Sequence, residues 1–145
     1  MKNSPIGIFD SGVGGLTVVK ELTREMPNED IIYFGDTARV PYGTKSASTI
    51  QKFSIQNVLF LLKRNVKLII IACNTSSAIV LPFLSEYFSI PIIGVIKPGA
   101  KAAVRSTRNG RIGVIGTSAT VLSDAYDKEI RSLNSGIKVY SSSCP

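Results

Sequence analysis

The sequence predicts an α/β protein built on a mostly parallel, doubly wound sheet, and three observations support this class. Short β-branched runs alternate with longer helical patterns along the whole chain of 145 residues. The predicted strands are apolar throughout, which is typical of strands that are covered on both faces. A helical pattern lies between successive strands, and parallel strands need a crossover of that kind.

The first half of the chain alternates three strands with three helices. The strands are predicted at residues 5–9, 31–34 and 67–72. Apolar side chains three or four residues apart predict helices with one buried face. Those faces are Val18, Leu22 and Met26 in a helix ending near residue 26, and Ile55, Leu59, Leu62 and Val66 in a helix over 45–65. Asn74 is a good N-cap residue and predicts the start of a third helix, which Pro82 should kink or divide.

The second half continues the alternation and ends on a strand. Further strands are predicted at residues 91–96, 111–115 and 137–140, with helices up to about residue 107 and over 118–133. The apolar face of the last helix is predicted from Leu122, Tyr126, Ile130 and Leu133. We therefore divide the chain into a first α/β domain over 1–96 and the start of a second α/β domain over 97–145. We expect the second domain to be truncated, because no closing helix follows its last strand.

Composition excludes several classes of function. The 17 Lys and Arg residues outnumber the 10 Asp and Glu residues but are scattered, which favours a solvated surface over nucleic-acid binding. The longest apolar stretch, residues 68–73, is far shorter than the roughly 20 residues of a membrane span. With no signal-peptide pattern at its start, the chain is expected in the cytoplasm. Two cysteines without a CxxC pair and no histidine argue against a metal site.

A glycine loop follows the first strand. Gly12-Val13-Gly14-Gly15 lies between a strand and a helix, where backbone N–H groups can bind a phosphate or carboxylate. A tight turn that needs glycine for backbone reasons is the alternative. The dinucleotide fingerprint would need glycine at position 17, where Thr17 stands. Asp10 and Ser11, just before the glycines, favour a site, because an aspartate at a strand end is poor core material.

Cys73 is the sharpest candidate for catalysis. It ends the most apolar strand and precedes a predicted helix, whose dipole and free N–H groups would favour a thiolate. A buried core cysteine is the alternative, since cysteine is among the most buried residue types. Four polar residues follow it and suit the carboxylate or amine of an amino acid; they are Asn74, Thr75, Ser76 and Ser77.

At this point several segments resemble the glutamate racemases of the Asp/Glu racemase superfamily. They are DSGVGGL at 10–16, GDTARVPYG at 35–43, ACNT at 72–75, RIGVIGT at 111–117, the Ala-Thr pair at 119–120 and the Cys-Pro pair at 144–145. The resemblance covers essentially the whole chain. It implies two α/β domains with the active site between them, two catalytic cysteines and no cofactor. It also implies that glutamate is the substrate and that the D-glutamate formed enters cell-wall peptidoglycan. A homodimer is compatible with the resemblance.

The resemblance also implies roles for individual residues. Cys73 corresponds to the first catalytic thiol and Asp10 to its polar partner. The residues that would hold the substrate are Asp10, Ser11, Tyr42, Gly43, Asn74 and Thr75, with Thr117 and Thr120 as weaker candidates from the second domain. The second thiol of the family lies in a Cys-Thr-His motif, which these 145 residues do not contain, and Cys144 matches a different position. We therefore expect the chain to be inactive by itself.

Two other functions stay open. A racemase of the same superfamily could act on another acidic amino acid such as aspartate. From a different class, a Rossmann-like nucleotide-binding module would need an acidic residue near the end of the second strand, and Asp36 is a candidate. The missing third glycine of the fingerprint argues against that module.

Overall fold

The computed structural model describes residues 3–144 and has two parallel sheets. The strands are β1 (Ile6–Asp10), β2 (Ile31–Gly35), β3 (Leu68–Ile71), β4 (Ile92–Gly94), β5 (Arg111–Gly116) and β6 (Lys138–Ser143). The helices are α1 (Leu16–Glu25), α2 (Ala47–Leu62), α3 (Asn74–Ile79), α4 (Leu81–Tyr87), α5 (Ile96–Ser106), α6 (Ser118–Leu122) and α7 (Ala125–Leu133), with a short 3₁₀ helix at Thr37–Arg39. Within residues 3–144, no helix is long and apolar enough to cross a membrane.

The first sheet has the strand order β2-β1-β3-β4, and all its strands are parallel. Successive residues of a strand point to opposite faces, so neighbours such as Ile8 and Phe9 enter different apolar clusters. The cluster around Phe9 contains residues of α2 and α4, and the cluster around Ile8 contains residues of α1. Helices thus cover both faces, which confirms the predicted doubly wound α/β class.

The buried face of α2 differs from the prediction. Leu59 was expected inside but is 45% exposed. The buried residues of α2 are Ile50, Ser54, Asn57, Val58 and Leu61. Ser54 and Asn57 belong to this face because their side chains hydrogen-bond to Ser76 and Tyr42. A stripe chosen from apolar side chains alone could not include them. Met26, which follows α1, is also exposed, and in α1 Val19 joins Val18 and Leu22 against the sheet.

Pro82 divides its helix as predicted. The first piece, α3, ends at Ile79, and α4 carries Pro82 in its first turn, where proline is tolerated. The predicted N-cap was wrong by one residue, because the cap is Cys73 and Asn74 is the first residue of α3. The side-chain acceptor at an N-cap is usually an oxygen. Here Cys73 Sγ takes that role and accepts the hydrogen bond from the backbone N–H of Ser76.

The second sheet pairs β5 with β6 in parallel and shares an apolar cluster with α5 and α7. Its apolar cluster centres on Ala100, Ile112, Ile130 and Ile137. The single helix predicted over 118–133 is wrong, because Asp124 adopts a left-handed conformation with φ of 55° and separates α6 from α7. Aspartate tolerates that conformation better than most residues. Leu122 consequently leaves the predicted apolar face and is 82% exposed.

The two sheets are in contact through α3. This short helix follows β3 in the first sheet and packs on α5, α6 and α7. The first sheet has an apolar cluster on each face, and the second sheet has a separate cluster, as separate domains would have. The boundary between residues 96 and 97 stays a prediction. It falls at the start of α5, because the predicted strand over 91–96 ends at Gly94 and Ile96 already belongs to the helix.

Candidate active site

The strand order of the first sheet determines where a ligand can bind. Starting from β1, the chain adds β2 on one side, and then β3 and β4 on the other. The crevice outside the carboxyl ends of β1 and β3 is therefore a topological switch point, the usual ligand site of open α/β sheets. The register pairs Phe9 with Ile71, and Ala72 donates its N–H to the Phe9 carbonyl at 2.9 Å. Asp10 and Ser11 thus lie beside Cys73.

The thiol of Cys73 lies at this crevice and is held on two sides. Its Sγ donates a hydrogen bond to Ser11 Oγ at 3.3 Å and accepts the N–H of Ser76 at 3.4 Å. Cys73 is buried, with 4% of its surface exposed, yet it lines an open cleft. The other cysteine, Cys144, is exposed. Cys73 is therefore a buried residue, as the core alternative predicted, and it also borders a site.

The carboxylate of Asp10 is fixed by backbone N–H groups of the glycine loop. Its Oδ1 accepts from Ser11 at 2.8 Å and its Oδ2 from Gly15 at 2.7 Å. A Cβ at Gly15 would lie 2.8 Å from the Asp10 Cβ and 2.9 Å from the Ala72 Cβ. Gly15 is thus required by close packing, which favours the tight-turn interpretation of the loop. The Gly15 N–H binds the protein's own carboxylate instead of an external anion.

The cleft has a volume of about 390 Å³ and combines residues from both sheets. Six of the predicted site residues line it: Asp10, Ser11, Cys73, Asn74, Thr75 and Thr117. One wall consists of loops after β1 and β3, and Thr117 follows β5. A carboxylate, a thiol, an amide and three hydroxyl groups can donate and accept hydrogen bonds to a small zwitterion.

Three threonine hydroxyls join the two sides of the cleft. Thr75 Oγ1 lies 2.9 Å from Thr117 Oγ1 and 3.3 Å from Thr120 Oγ1, and the latter two are 3.0 Å apart. Thr117 and Thr120 were predicted as binding candidates from the second domain. Thr117 lines the cleft, whereas Thr120 lines an adjoining cavity of about 450 Å³. Gly43 packs directly against the Thr117 side chain, where a Cβ would not fit.

The side chain of Tyr42 does not line the cleft. Its ring is buried, and its hydroxyl donates to Asp36 Oδ2 and accepts from Asn57 Nδ2 at 3.1 Å. Burial, followed by the hydrogen bond to Asp36, raises the pKa of Tyr42 well above its ordinary value of 10.0. A contact between Tyr42 and a ligand would have to come from its backbone.

The carboxylate of Asp36 is also bound within the protein. It accepts from Tyr42 and pairs with Arg39, whose Nε lies 2.7 Å from Oδ2. The backbone N–H of Asp36 donates to the Asp10 carbonyl at 2.8 Å. Asp36 is buried, and its carboxylate is engaged by Tyr42 and Arg39 within the protein instead of being presented to a ligand. This arrangement argues against the nucleotide-binding alternative.

Tyr126 is a cleft residue that the sequence did not reveal. It was assigned to the apolar face of a helix, and its ring does join the cluster of the second sheet. Its hydroxyl, however, donates to Asn74 Oδ1 at 2.6 Å, across to the first sheet. A tyrosine on an apolar face carries a polar tip that needs a partner, and that was the only available signal.

The fold and the cleft define a class: parallel α/β proteins in which a thiol and a carboxylate line one cleft at the switch point of the sheet. The chain belongs to the Asp/Glu/Hydantoin racemase family, whose model matches residues 6–144.

Proteins named glutamate racemase are similar to the whole chain. The relative from Geobacter metallireducens is 55% identical over 97% of this chain and 52% of its own length. The relative from Streptococcus gordonii is 54% identical over 100% of this chain and 55% of its own length. The chain thus spans about half the length of the curated relatives it matches.

Solved structures of glutamate racemases have the same fold over this part. The isoform RacE1 from Bacillus anthracis superimposes with a TM-score of 0.96 at 48% identity, covering 100% of this chain and 55% of that one. The enzyme from Francisella tularensis, solved in complex with D-glutamate, gives a TM-score of 0.90 at 52% identity, covering 99% of this chain and 54% of that one. The predicted family and fold class are confirmed.

Proposed function

We propose that the protein containing this chain interconverts L- and D-glutamate without a cofactor, and that this chain supplies one face of its active site. The main support is the position of Cys73, whose thiol borders a polar cleft beside Asp10 and Ser11 at the switch point of the sheet. The substrate assignment is supported by the printed names of the relatives and by the D-glutamate complex of the Francisella tularensis enzyme.

The chemistry requires two proton carriers on opposite faces of the substrate. One thiolate removes the proton from Cα, and a thiol on the other face returns a proton to the resulting carbanion. A single base that reprotonated from its own side would mostly restore the starting enantiomer. In this proposal Cys73 is one carrier, and its partner is a thiol outside these 145 residues. The two cysteines exchange roles when the direction of the reaction is reversed.

The polar groups of the cleft would bind and activate the substrate. The Cα proton is very weakly acidic, so hydrogen-bond donors aimed at the developing negative charge are needed to stabilise the transition state. Ser11, Asn74, Thr75 and Thr117 carry donors in the cleft. Each oxygen of Asp10 accepts one backbone N–H and retains capacity for a further donor, such as the ammonium group of the substrate or the thiol of Cys73. Gly43 and Thr120 would act through their contacts with Thr117.

The biological role follows from the product. D-Glutamate would be consumed in the synthesis of cell-wall peptidoglycan, in the cytoplasm, and a homodimer is compatible with this role. The family resemblance supports this role, the location and the homodimer. Aspartate is the second candidate substrate, because the name of the family that includes this chain contains both aspartate and glutamate.

The test uses the protein expressed from its complete reading frame. The purified protein, treated with EDTA and free of pyridoxal phosphate, is incubated with L-glutamate or L-aspartate, and the circular dichroism of the amino acid is followed. Loss of the glutamate signal towards the racemic value is expected, with at most a small effect on aspartate. An unchanged glutamate signal would overturn the proposal. Melting curves with NAD, ATP and D-glutamate give an independent readout, and stabilisation by a nucleotide alone would favour the binding module.

A further inference from the structure

The amide of Asn74 lies in the cleft and is held by one contact. Asn74 is the first residue of α3, is exposed, and lines both the cleft and the adjoining cavity. Its Oδ1 accepts the hydroxyl hydrogen of Tyr126 at 2.6 Å. Among residues 3–144, no acceptor is bonded to its Nδ2. Since an asparagine amide offers one acceptor and two N–H donors, both donors remain for a ligand.

The direction of this hydrogen bond determines which end of the amide faces the ligand. If the amide were turned over, Nδ2 would donate to Tyr126, and the Tyr126 hydroxyl would need another acceptor. Within the described part of the chain it has none. Burial raises the pKa of Tyr126 above its ordinary value of 10.0, so the hydroxyl keeps its hydrogen at working pH. In the structure the bond runs from the Tyr126 hydroxyl to Oδ1, the only acceptor that the described residues offer to this hydrogen.

Tyr126 is itself held firmly enough to orient a neighbour. Its ring packs against Gly99 in α5, where an added Cβ would lie 3.2 Å from the hydroxyl oxygen and 3.3 Å from a ring carbon. The ring also belongs to the apolar cluster of the second sheet. The hydrogen bond thus links the second sheet to the first, although Tyr126 and Asn74 are 52 positions apart in sequence.

We propose that Tyr126 is a positioning residue that orients the Asn74 amide, so that Asn74 Nδ2 donates to a carboxylate of the amino-acid substrate. This inference rests on the proposed function and adds a residue to that site. Tyr126 acts through Asn74 and does not itself touch the reacting atoms. Because Tyr126 lies on α7 and Asn74 on α3, the orientation of the amide also depends on the contact between the two sheets.

The test compares substrate kinetics of Tyr126→Phe and wild type in the protein from the complete reading frame. Phenylalanine keeps the ring against Gly99 and removes only the hydroxyl. We expect the KM for L-glutamate to rise about fivefold, the size of one hydrogen bond, with kcat changed less than twofold and an unchanged melting temperature. Tyr140→Phe is the matched control, because Tyr140 is exposed in β6 and should leave the kinetics unaltered.

A double variant tests whether Tyr126 acts through Asn74. The KM of Asn74→Ala should not rise further when Tyr126→Phe is added, because the hydroxyl then has no amide to orient. Independent, multiplying effects would overturn the inference, as would a Tyr126→Phe enzyme with an unchanged KM or with only a lower melting temperature. A wild-type protein that does not racemise glutamate would overturn the proposed function and this inference with it. An active wild type with an unaffected Tyr126→Phe variant would overturn the inference alone.

Discussion

Cys73 Sγ lies 3.3 Å from Ser11 Oγ, although the two residues are 62 positions apart in sequence. The contact follows from the parallel register of β1 with β3, which pairs Phe9 with Ile71 and brings the next residues of both strands to one edge of the sheet. Cys73 follows β3 and is also the N-cap of α3, so both β3 and α3 fix its position. The reactive group of the proposed site therefore rests on rigid structure.

The first prediction is that Cys73→Ser nearly abolishes racemisation while the fold persists. Serine fits the cap position, because its hydroxyl can accept the N–H of Ser76. It is, however, a far weaker acid than a thiol and cannot carry the proton from Cα. We expect a loss of about 10²- to 10⁴-fold in kcat, the usual contribution of general acid–base catalysis. The assay is circular dichroism of L-glutamate with the protein from the complete reading frame.

The matched control for this variant is Cys144→Ser. Cys144 is exposed, and its contact with β5 is a backbone hydrogen bond to Gly116 that serine would keep. The racemase activity of Cys144→Ser should equal that of wild type. If Cys73→Ser retained racemisation within tenfold of wild type, Cys73 would have no role as a proton carrier.

Positions at the ends of strands were predictable from the sequence. Asp10 and Cys73 each follow an apolar run, and in a parallel sheet such residues must meet at one edge. The order of the strands makes them neighbours, and the family resemblance supported the same pair. The residues that join the two sheets were harder to predict. The hydrogen bond between Tyr126 and Asn74 depends on the packing of α7 against α3, which periodicity within one element cannot reveal.

The direction in which a side chain points could not be predicted from the sequence either. Tyr42 was expected to hold the substrate, yet its hydroxyl points to Asp36 and Asn57 within the core. The break at Asp124 escaped prediction for a different reason. Leu122 and Tyr126 have helical spacing, and one left-handed residue between them changes which face is buried.

The second prediction concerns the contact between Gly43 and Thr117. In Gly43→Ala the added Cβ would collide with the Thr117 side chain, which also caps α6 by accepting the N–H of Thr120. The collision should lower the free energy of unfolding by about 1–3 kcal/mol, as overpacking usually does. Urea unfolding measures this loss. Gly12→Ala is the control, because its Cβ would meet only the Val40 Cγ1, at an ordinary distance of 3.6 Å. Equal stabilities of the two variants would contradict the prediction.

The third prediction is a change in the pH dependence of stability in Tyr42→Phe. The pKa of Tyr42 is raised in the folded protein, so the unfolded chain releases this proton first as the pH rises. Tyr42 therefore contributes its full stability below about pH 10, and the contribution declines at higher pH. At pH 8 we expect Tyr42→Phe to cost about 1–3 kcal/mol, because Asp36 and Asn57 each lose a partner.

Between pH 8 and 11 the stability difference between wild type and Tyr42→Phe should therefore narrow. Urea unfolding at several pH values measures it, with the exposed Tyr140→Phe as the control variant. Other groups titrate in the same interval, but they do so in both proteins and cancel in the difference. A gap that stayed constant or widened with pH would show that the Tyr42 proton is not held more tightly in the folded state.

The last prediction is that the 145-residue chain by itself does not racemise glutamate. The mechanism needs two opposed proton carriers, and of the two cysteines only Cys73 lines the cleft. Cys144 follows β6 and is exposed, with its backbone bonded to Gly116. Purified chain and its Cys73→Ser variant are each incubated with L-glutamate while the circular dichroism is followed. Both signals should stay constant over hours. Sustained loss with the chain and none with the variant would contradict the prediction, and Cys144 would then become the candidate for the second carrier.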